Sequence, residues 1–142
     1  MKKILGLDLG SKTLGIAISD SLGIAAHGYE NFSFEFGNYK KARERVLEIV
    51  SKEGIEEIAL GYPLHMSGEE SPRSESSKRF KSDLEKDNPN LKITLVDERM
   101  TTMIATNRLL EADLSRKKRK EVIDMMSAVV ILESYLATKK GH

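Results

Sequence analysis

The chain has 142 residues, of which 39% are hydrophobic and 32% charged, and its formal net charge is +1. These values predict a single globular domain over residues 1–142 and leave no global charge bias toward nucleic acid. The absence of cysteine excludes a disulfide framework and a thiolate zinc site, and it is typical of cytoplasmic proteins. No stretch is apolar over the length that a bilayer requires, so we expect no membrane association.

Three short apolar segments open the chain. Ile4–Leu9 and residues 15–19 are separated by the turn-forming sequence Gly10-Ser11-Lys12-Thr13, which predicts a β-hairpin. Residues 24–29 predict a third strand. The start of the fold is therefore expected to be an antiparallel meander.

A helix and a fourth strand are predicted next. Over Tyr39–Glu53 the apolar residues recur at helical spacing, and Gly54 is a plausible C-cap. One face of this helix carries Ala42, Val46, Ile49 and Val50. Residues 55–60 predict a strand that ends at Gly61-Tyr62-Pro63, because proline cannot donate to a sheet.

The second half predicts alternating elements. Residues 64–77 are polar and contain Pro72, which predicts a mobile loop leading into a helix over 74–86. Residues 91–96 predict a strand, Thr101 or Thr102 can cap a helix through 110, and a final helix is expected over 120–138. This order predicts an α/β fold: a mixed five-stranded sheet, with an antiparallel N-terminal meander plus parallel strands and helices on both faces.

Carboxylates at unusual positions are the main chemical signal. Asp8 lies inside an apolar strand, where a charge is costly unless it is paired or binds a cation. Asp97 and Glu98 end the last predicted strand, where sites collect in open α/β sheets. Asp124 lies on the apolar stripe of the final helix, in line with Ala128. Each has an alternative role. Asp8 could cap the turn, Asp97 and Glu98 could be a solvated strand end, and Asp124 could complement the helix dipole.

These acids together favour a metal site. The three histidines follow no metal-ligand spacing and cysteine is absent, so the available ligands are hard oxygens, which suit Mg²⁺ or Mn²⁺. Two such ions about 3.5–4 Å apart can activate water and stabilise the leaving oxygen in phosphodiester cleavage. The sequence therefore favours a metal-dependent hydrolase.

Four motifs in order resemble the YqgF/RuvX family of pre-16S rRNA nucleases and Holliday junction resolvase homologues, which belongs to the RNase H-like superfamily. The likeness extends over nearly the whole chain, with Ser127 where alanine is usual. It rests on residues 6–17, on Gly61-Tyr62-Pro63 with Met66 and Gly68, on residues 97–102, and on Asp124 with the pairs 127–128, 131–132 and 135–136.

The resemblance implies a fold, a reaction and a set of site residues. It implies an RNase H-like sheet and a Mg²⁺- or Mn²⁺-dependent nuclease, with Asp8, Glu98 and Asp124 as catalytic and metal-binding residues. Asp97 is the alternative second ligand, and Glu98 is favoured. The implied substrate is the 5′ end of pre-16S rRNA, with the ribosome as a possible partner. Holliday junction resolution, which needs a symmetric dimer, is the alternative.

Candidate nucleic-acid contacts come from basic residues. Lys12 and Arg99 could hold phosphate, although both could also be solvated surface residues. A run of five adjacent cations concentrates positive potential and is a candidate for phosphate contacts. Alternatively, the run forms only a solvated connection between helices. Its residues are Arg116, Lys117, Lys118, Arg119 and Lys120. Aromatic residues are not interleaved with this run, which does not favour a base-stacking surface.

Two further functions compete. Residues 8–13 are also similar to the first phosphate loop of actin/Hsp70-like ATP-binding proteins, but those proteins place nucleotide between two such domains and this chain has room for one. A non-catalytic ribosome or transcription partner with the same fold is the other alternative.

Overall fold

The computed structural model describes residues 2–63, 67, 71–97 and 116–140, with side chains in the last segment from Met125 to Lys139. The strands are β1 (Ile4–Leu9), β2 (Thr13–Ser19), β3 (Ala26–Ser33), β4 (Glu57–Tyr62) and β5 (Lys92–Asp97). The helices are α1 (Tyr39–Glu53), α2 (Pro72–Asp87) and α3 (Arg116–Lys140).

The strands form one mixed sheet in the order β3-β2-β1-β4-β5. β1 pairs antiparallel with β2, and β2 with β3, whereas β1–β4 and β4–β5 are parallel. The predicted meander followed by parallel strands is confirmed. The carboxyl ends of β1, β4 and β5 therefore lie at one edge of the sheet, which we call the carboxyl edge.

Alternation along the strands divides the core into two layers. Leu5, Leu7 and Leu9 of β1 pack in the cluster that includes the buried residues of α1 and α2. Ile4 packs in the other cluster, with the apolar residues of α3. Helices thus cover both faces of the sheet, as predicted.

The helix α1 has the predicted bounds and the predicted buried face. Ala42, Val46, Ile49 and Val50 are its buried residues. Gly54 adopts a left-handed conformation (φ 69°) and donates its N–H to the carbonyl of Val50. A C-cap of this kind favours glycine, since a side chain is strained at positive φ.

The helix α2 begins slightly earlier than predicted. It was expected from about residue 74, but it begins at Pro72. Proline is accommodated at the first helical position because an N–H there has no partner within the helix. Ser71 and Ser74 form a reciprocal cap, with distances of 3.0 Å from Ser74 N to Ser71 Oγ and 2.7 Å from Ser71 N to Ser74 Oγ.

Other bounds also differ from prediction by a few residues. The third strand begins at Ala26 because Ile24 and Ala25 donate their N–H groups to the Asp20 carboxylate, which closes a turn. The final helix begins at Arg116, so the basic run is helical and not a connection between helices. Lysine and arginine are good helix formers, and no glycine or proline interrupts the run. The helix predicted through residue 110 lies outside the described residues.

The helix α3 approaches the sheet closely at Gly6. A Cβ built on Gly6 would lie 2.7 Å from Leu132 Cβ and 2.8 Å from the carbonyl oxygen of Ala128. Further along α3, Leu132 and Leu136 pack in one cluster with Ile4, at the amino end of β1. The helix therefore runs antiparallel to β1, and its residues before Ala128 lie toward the carboxyl edge.

We expect Gly6→Ala to lower the free energy of unfolding by about 1–3 kcal/mol, because the new methyl group overpacks against helix backbone. The matched control is Gly28→Ala. Its Cβ would meet Met125 Sδ at 2.8 Å, but this atom belongs to a flexible side chain that can move away. Urea denaturation of both variants measures the difference. Equal losses would contradict this packing of α3 on β1.

Candidate functional site

The carboxyl edge brings together three strand ends at one level. In the sheet register Leu7 pairs with Leu60, and Leu60 with Leu95. One residue further along each strand stand Asp8, Gly61 and Val96. Because Asp8 is flanked on the β4 side by a glycine, no side chain of that neighbour fills the space beside its carboxylate.

Asp8 lies on the sheet face that α3 covers. Alternate residues of a strand face the same side, so Asp8 faces the same side as Ile4 and Gly6. Both of these residues contact the α3 layer. Its side chain is only 11% exposed. The turn after β1 is closed by the Gly10 N–H, which donates to the Thr13 carbonyl at 2.8 Å. This geometry does not favour the alternative in which Asp8 is a cap for the turn.

Among the residues that the structure describes, Arg73 is the cation beside Asp8, and the sequence analysis missed it. Its Nη2 lies 3.4 Å from Asp8 Oδ1 and donates to the Leu9 carbonyl at 3.2 Å, while its side chain is 57% exposed. The Ser71 hydroxyl donates to the carbonyl of Pro63 at 2.6 Å, which ties the start of α2 to the end of β4. The sequence signal was Ser71-Pro72-Arg73-Ser74, a capped helix start with an arginine in its first turn.

Asp97 occupies a different position from Asp8. It is the last residue of β5 and is exposed. It has the parity of Ile93 and Leu95, which pack in the α1–α2 layer, whereas Thr94 and Val96 contact the α3 layer. Alternation thus assigns Asp97 to the sheet face opposite Asp8. Asp97 nevertheless has interactions of its own.

The other predicted acids are described in part or not at all. The backbone of Asp124 is helical within α3, and its side chain is not among those described. It stands one turn before Ala128, about 6 Å toward the carboxyl edge. Glu98 lies outside the described residues. Among the described residues, no three His, Cys, Asp or Glu side chains are grouped closely enough to hold a metal ion.

The predicted nucleic-acid contacts are similarly divided. Lys12 is exposed in the turn between β1 and β2, at the carboxyl edge. Arg99 lies outside the described residues. The basic residues form the first turns of α3, where only their backbone is described; they are Arg116, Lys117, Lys118 and Arg119.

A cavity of about 500 Å³ lies at the opposite, amino edge of the sheet, between Ile4, Leu22 and Leu136. Its acids have lysine partners: Glu56 pairs with Lys2 at 2.8 Å and Glu57 with Lys139 at 2.7 Å. Burial raises the pKa of Glu57, but hydrogen bonds from Lys139 and Tyr135 outweigh it and hold that pKa below its ordinary value. These compensated charges resemble a structural network more than a site prepared for a cation.

Comparison with solved structures identifies the class of fold as that of RNase H-like Holliday junction resolvases. RuvC of Thermus thermophilus in complex with a Holliday junction substrate superposes with a TM-score of 0.63 and 13% identity, over 99% of this chain and 97% of that chain. The fowlpox virus Holliday junction resolvase gives 0.59 and 16%, over 96% and 99%.

The chain belongs to the RuvX family, which is described as Holliday junction resolvase and matches residues 2–138. Relatives from Geobacillus sp. (strain WCH70) and Bacillus pumilus (strain SAFR-032) both carry the name "Putative pre-16S rRNA nuclease". The first is 47% identical over 97% of this chain and 99% of its own length, and the second 48% over 94% and 96%. Of the helices in the described segments, none has both the length and the apolar character needed to span a bilayer.

We expect Asp8→Asn to leave the free energy of unfolding within about 1 kcal/mol of the parent, because ion pairs with such exposed partners contribute little. A neutral amide is also cheaper to keep in this partly buried position than a carboxylate. Thermal and urea denaturation measure the change. A loss well above that range would show that the Asp8 carboxylate is structural.

The matched control is Asp20→Ala, which removes a carboxylate that does hold a turn. The Ile24 N–H, donating at 2.9 Å, lowers the pKa of Asp20 from its ordinary value of 3.8. A lowered pKa in the folded state means that the stabilisation is present above pH 3.8 and is lost as pH falls through the folded-state value. Asp20→Ala should therefore melt earlier than the parent at neutral pH, and the difference should shrink in acid.

Proposed function

We propose that this protein is a divalent-metal-dependent nuclease that hydrolyses phosphodiester bonds, and that its substrate is the 5′ end of pre-16S rRNA. The observation that carries the proposal is the placement of Asp8. This carboxylate is nine-tenths buried at the carboxyl edge, beside Gly61, with a long contact to an exposed arginine. A charge held this way is costly unless a cation binds it in the working protein.

The proposed ligands are Asp8, Glu98 and Asp124. Glu98 has the sequence parity of Thr94 and Val96, the residues of β5 on the α3 side, which favours it over Asp97 as the second ligand. Asp124 stands one helical turn before Ala128, and Asp8 stands two strand residues beyond Gly6. Ala128 packs on Gly6. Asp124 and Asp8 therefore each lie about 6–7 Å from that contact, toward the carboxyl edge.

The donor chemistry fits Mg²⁺ or Mn²⁺, since all three proposed ligands are carboxylates. When bound, such an ion neutralises charge on the phosphate and lowers the pKa of a water molecule. We propose that Arg73, whose guanidinium reaches the Asp8 carboxylate and the end of β1, orients the scissile phosphate. Lys12 and Arg99 would hold neighbouring phosphates. Asp97 is the alternative second ligand.

The names of the relatives support pre-16S rRNA as the substrate, and the description of the family supports a four-way DNA junction as the second candidate. Cleavage of paired strands in a junction requires a symmetric dimer. The ATP-binding alternative receives less support, because the relatives named as nucleases have nearly the same length as this chain. Association with the ribosome is part of the same proposal and requires no further site.

We expect the purified protein to cleave pre-16S RNA with Mg²⁺ or Mn²⁺ and to lose activity with EDTA. Asp8→Asn, Glu98→Gln and Asp124→Asn should each lower the cleavage rate by at least about 100-fold, whereas Asp97→Asn should be milder. The assay compares pre-16S RNA, unrelated single-stranded RNA and a four-way DNA junction under the same conditions.

The outcomes separate the candidates. Preferential cleavage of the junction would favour the resolvase, and full activity in chelator would contradict the metal-dependent mechanism. If Asp97→Asn abolished cleavage while Glu98→Gln was tolerated, the second ligand would be Asp97. Absence of cleavage on every substrate would favour the non-catalytic partner.

The basic run supplies a separate prediction. Replacing Lys117, Lys118 and Arg119 with alanine should weaken RNA binding and flatten its dependence on salt. With fewer phosphate contacts, fewer counterions are released when the RNA binds. The control replaces Lys52 and Lys86, exposed lysines in the last turns of α1 and α2. Fluorescence anisotropy over a range of salt concentrations measures both slopes. An unchanged slope for the first variant would show that the run only faces solvent.

A further inference from the structure

Phe36 is an aromatic residue in an unusual position. Its relative exposure is 75%, the largest among the exposed hydrophobic residues of the described segments. A phenylalanine ring left in water forgoes about 1.5–3 kcal/mol of burial energy. Burial in the core therefore does not account for this ring.

The segment around Phe36 is rigidly held by its neighbours. Phe34 and Tyr39 are partly buried against the core and make an edge-to-face contact at 5.9 Å. The Phe34 N–H donates to the Lys12 carbonyl at 2.8 Å, and the Gly37 N–H donates to the Ser11 carbonyl at 3.0 Å. The ring of Phe36 is thus presented to solvent from a turn that is fixed at both ends.

The same contacts place Phe36 at the carboxyl edge. Ser11 and Lys12 belong to the turn that directly follows β1, the strand that carries Asp8. The start of β2 pairs with the end of β3, as Thr13 with Ser33. β3 lies two strands from β1, a lateral distance of about 10 Å. An aromatic ring far from Asp8 in sequence therefore lies at the same edge of the sheet.

The charges around the ring suit a nucleic-acid backbone. The exposed charged residues of this corner, in 11–12 and 34–41, leave a net positive charge; they are Lys12, Glu35, Lys40 and Lys41. Proteins that hold single strands combine such cations with aromatic rings, on which bases stack without regard to sequence. Lys40 and Lys41 follow Phe36 closely in the chain, and folding adds Lys12 from a distant segment.

We propose that Phe36 is the stacking platform for an unpaired nucleobase of the substrate strand, and that it fixes where the strand lies relative to Asp8. The inference rests on the proposed function, since it takes the substrate to be nucleic acid. It adds a residue that positions the substrate and a requirement for an unpaired base near the scissile bond.

The absence of tryptophan from the chain permits a direct test. Phe36→Trp places a single indole at the proposed platform. The matched control is Leu22→Trp, at a residue that is 60% exposed on the opposite edge of the sheet. Both variants are titrated, in an Asp8→Asn background, with a short single-stranded RNA and with the same strand made abasic throughout.

Stacking should quench the emission of Phe36→Trp with the intact RNA and much less with the abasic strand, and it should leave Leu22→Trp unchanged. Phe36→Ala should bind the intact RNA about 5- to 100-fold more weakly, with a melting temperature like the parent's. Phe36→Tyr should restore binding, because the ring is retained.

Two results would overturn the proposal: unchanged emission of Phe36→Trp at saturating RNA, or equal affinities of Phe36→Ala and the parent. Cleavage of pre-16S RNA by Phe36→Ala at the parent's rate and position would contradict the stacking platform while leaving the nuclease proposal intact. Failure of the parent to bind or cleave any nucleic acid would overturn both.

Discussion

The close approach of α3 to β1 at Gly6 is the constraint on which the rest of the structure depends. Only a residue without a side chain lets the Ala128 carbonyl and Leu132 lie directly on the strand. This contact sets the direction and height of α3 over the sheet. As a result, two acidic residues lie toward the carboxyl edge: Asp124, one turn before Ala128, and Asp8, two residues after Gly6.

The acidic residues at the two edges of the sheet differ in how their charges are compensated. At the amino edge, Glu57 accepts hydrogen bonds from Tyr135 and Lys139, and these partners outweigh the cost of its burial. At the carboxyl edge, the ion-pair partner that the described residues offer the partly buried Asp8 is an exposed guanidinium at 3.4 Å. The charge of Glu57 is well compensated by its neighbours, whereas that of Asp8 is compensated weakly by the described residues. This difference is the physical basis for placing a cation at Asp8. It also explains why the cavity at the amino edge is a poor candidate for the active site.

Local patterns in the sequence predicted much of this fold. The apolar stripe of α1, the glycine cap at Gly54 and the N-terminal meander followed from spacing and turn residues. The start of α2 was placed two residues too late, because Pro72 was interpreted as part of a loop although it fits the first position of a helix. Arg73 was missed for a related reason: its contact with Asp8 depends on how Ser71 fastens α2 to the end of β4. Phe36 and Lys12 are neighbours only through pairing of distant segments, which no periodicity reports.

A divalent cation bound by Asp8 at the carboxyl edge can be detected by paramagnetic broadening of backbone amide signals with Mn²⁺. We expect broadening centred on Gly10 and Gly61, with the signals of Leu22 and Gly23 at the amino edge unaffected, and loss of the effect in Asp8→Asn. Broadening centred on Leu22 and Gly23, or broadening at Gly10 and Gly61 that persists in Asp8→Asn, would contradict it.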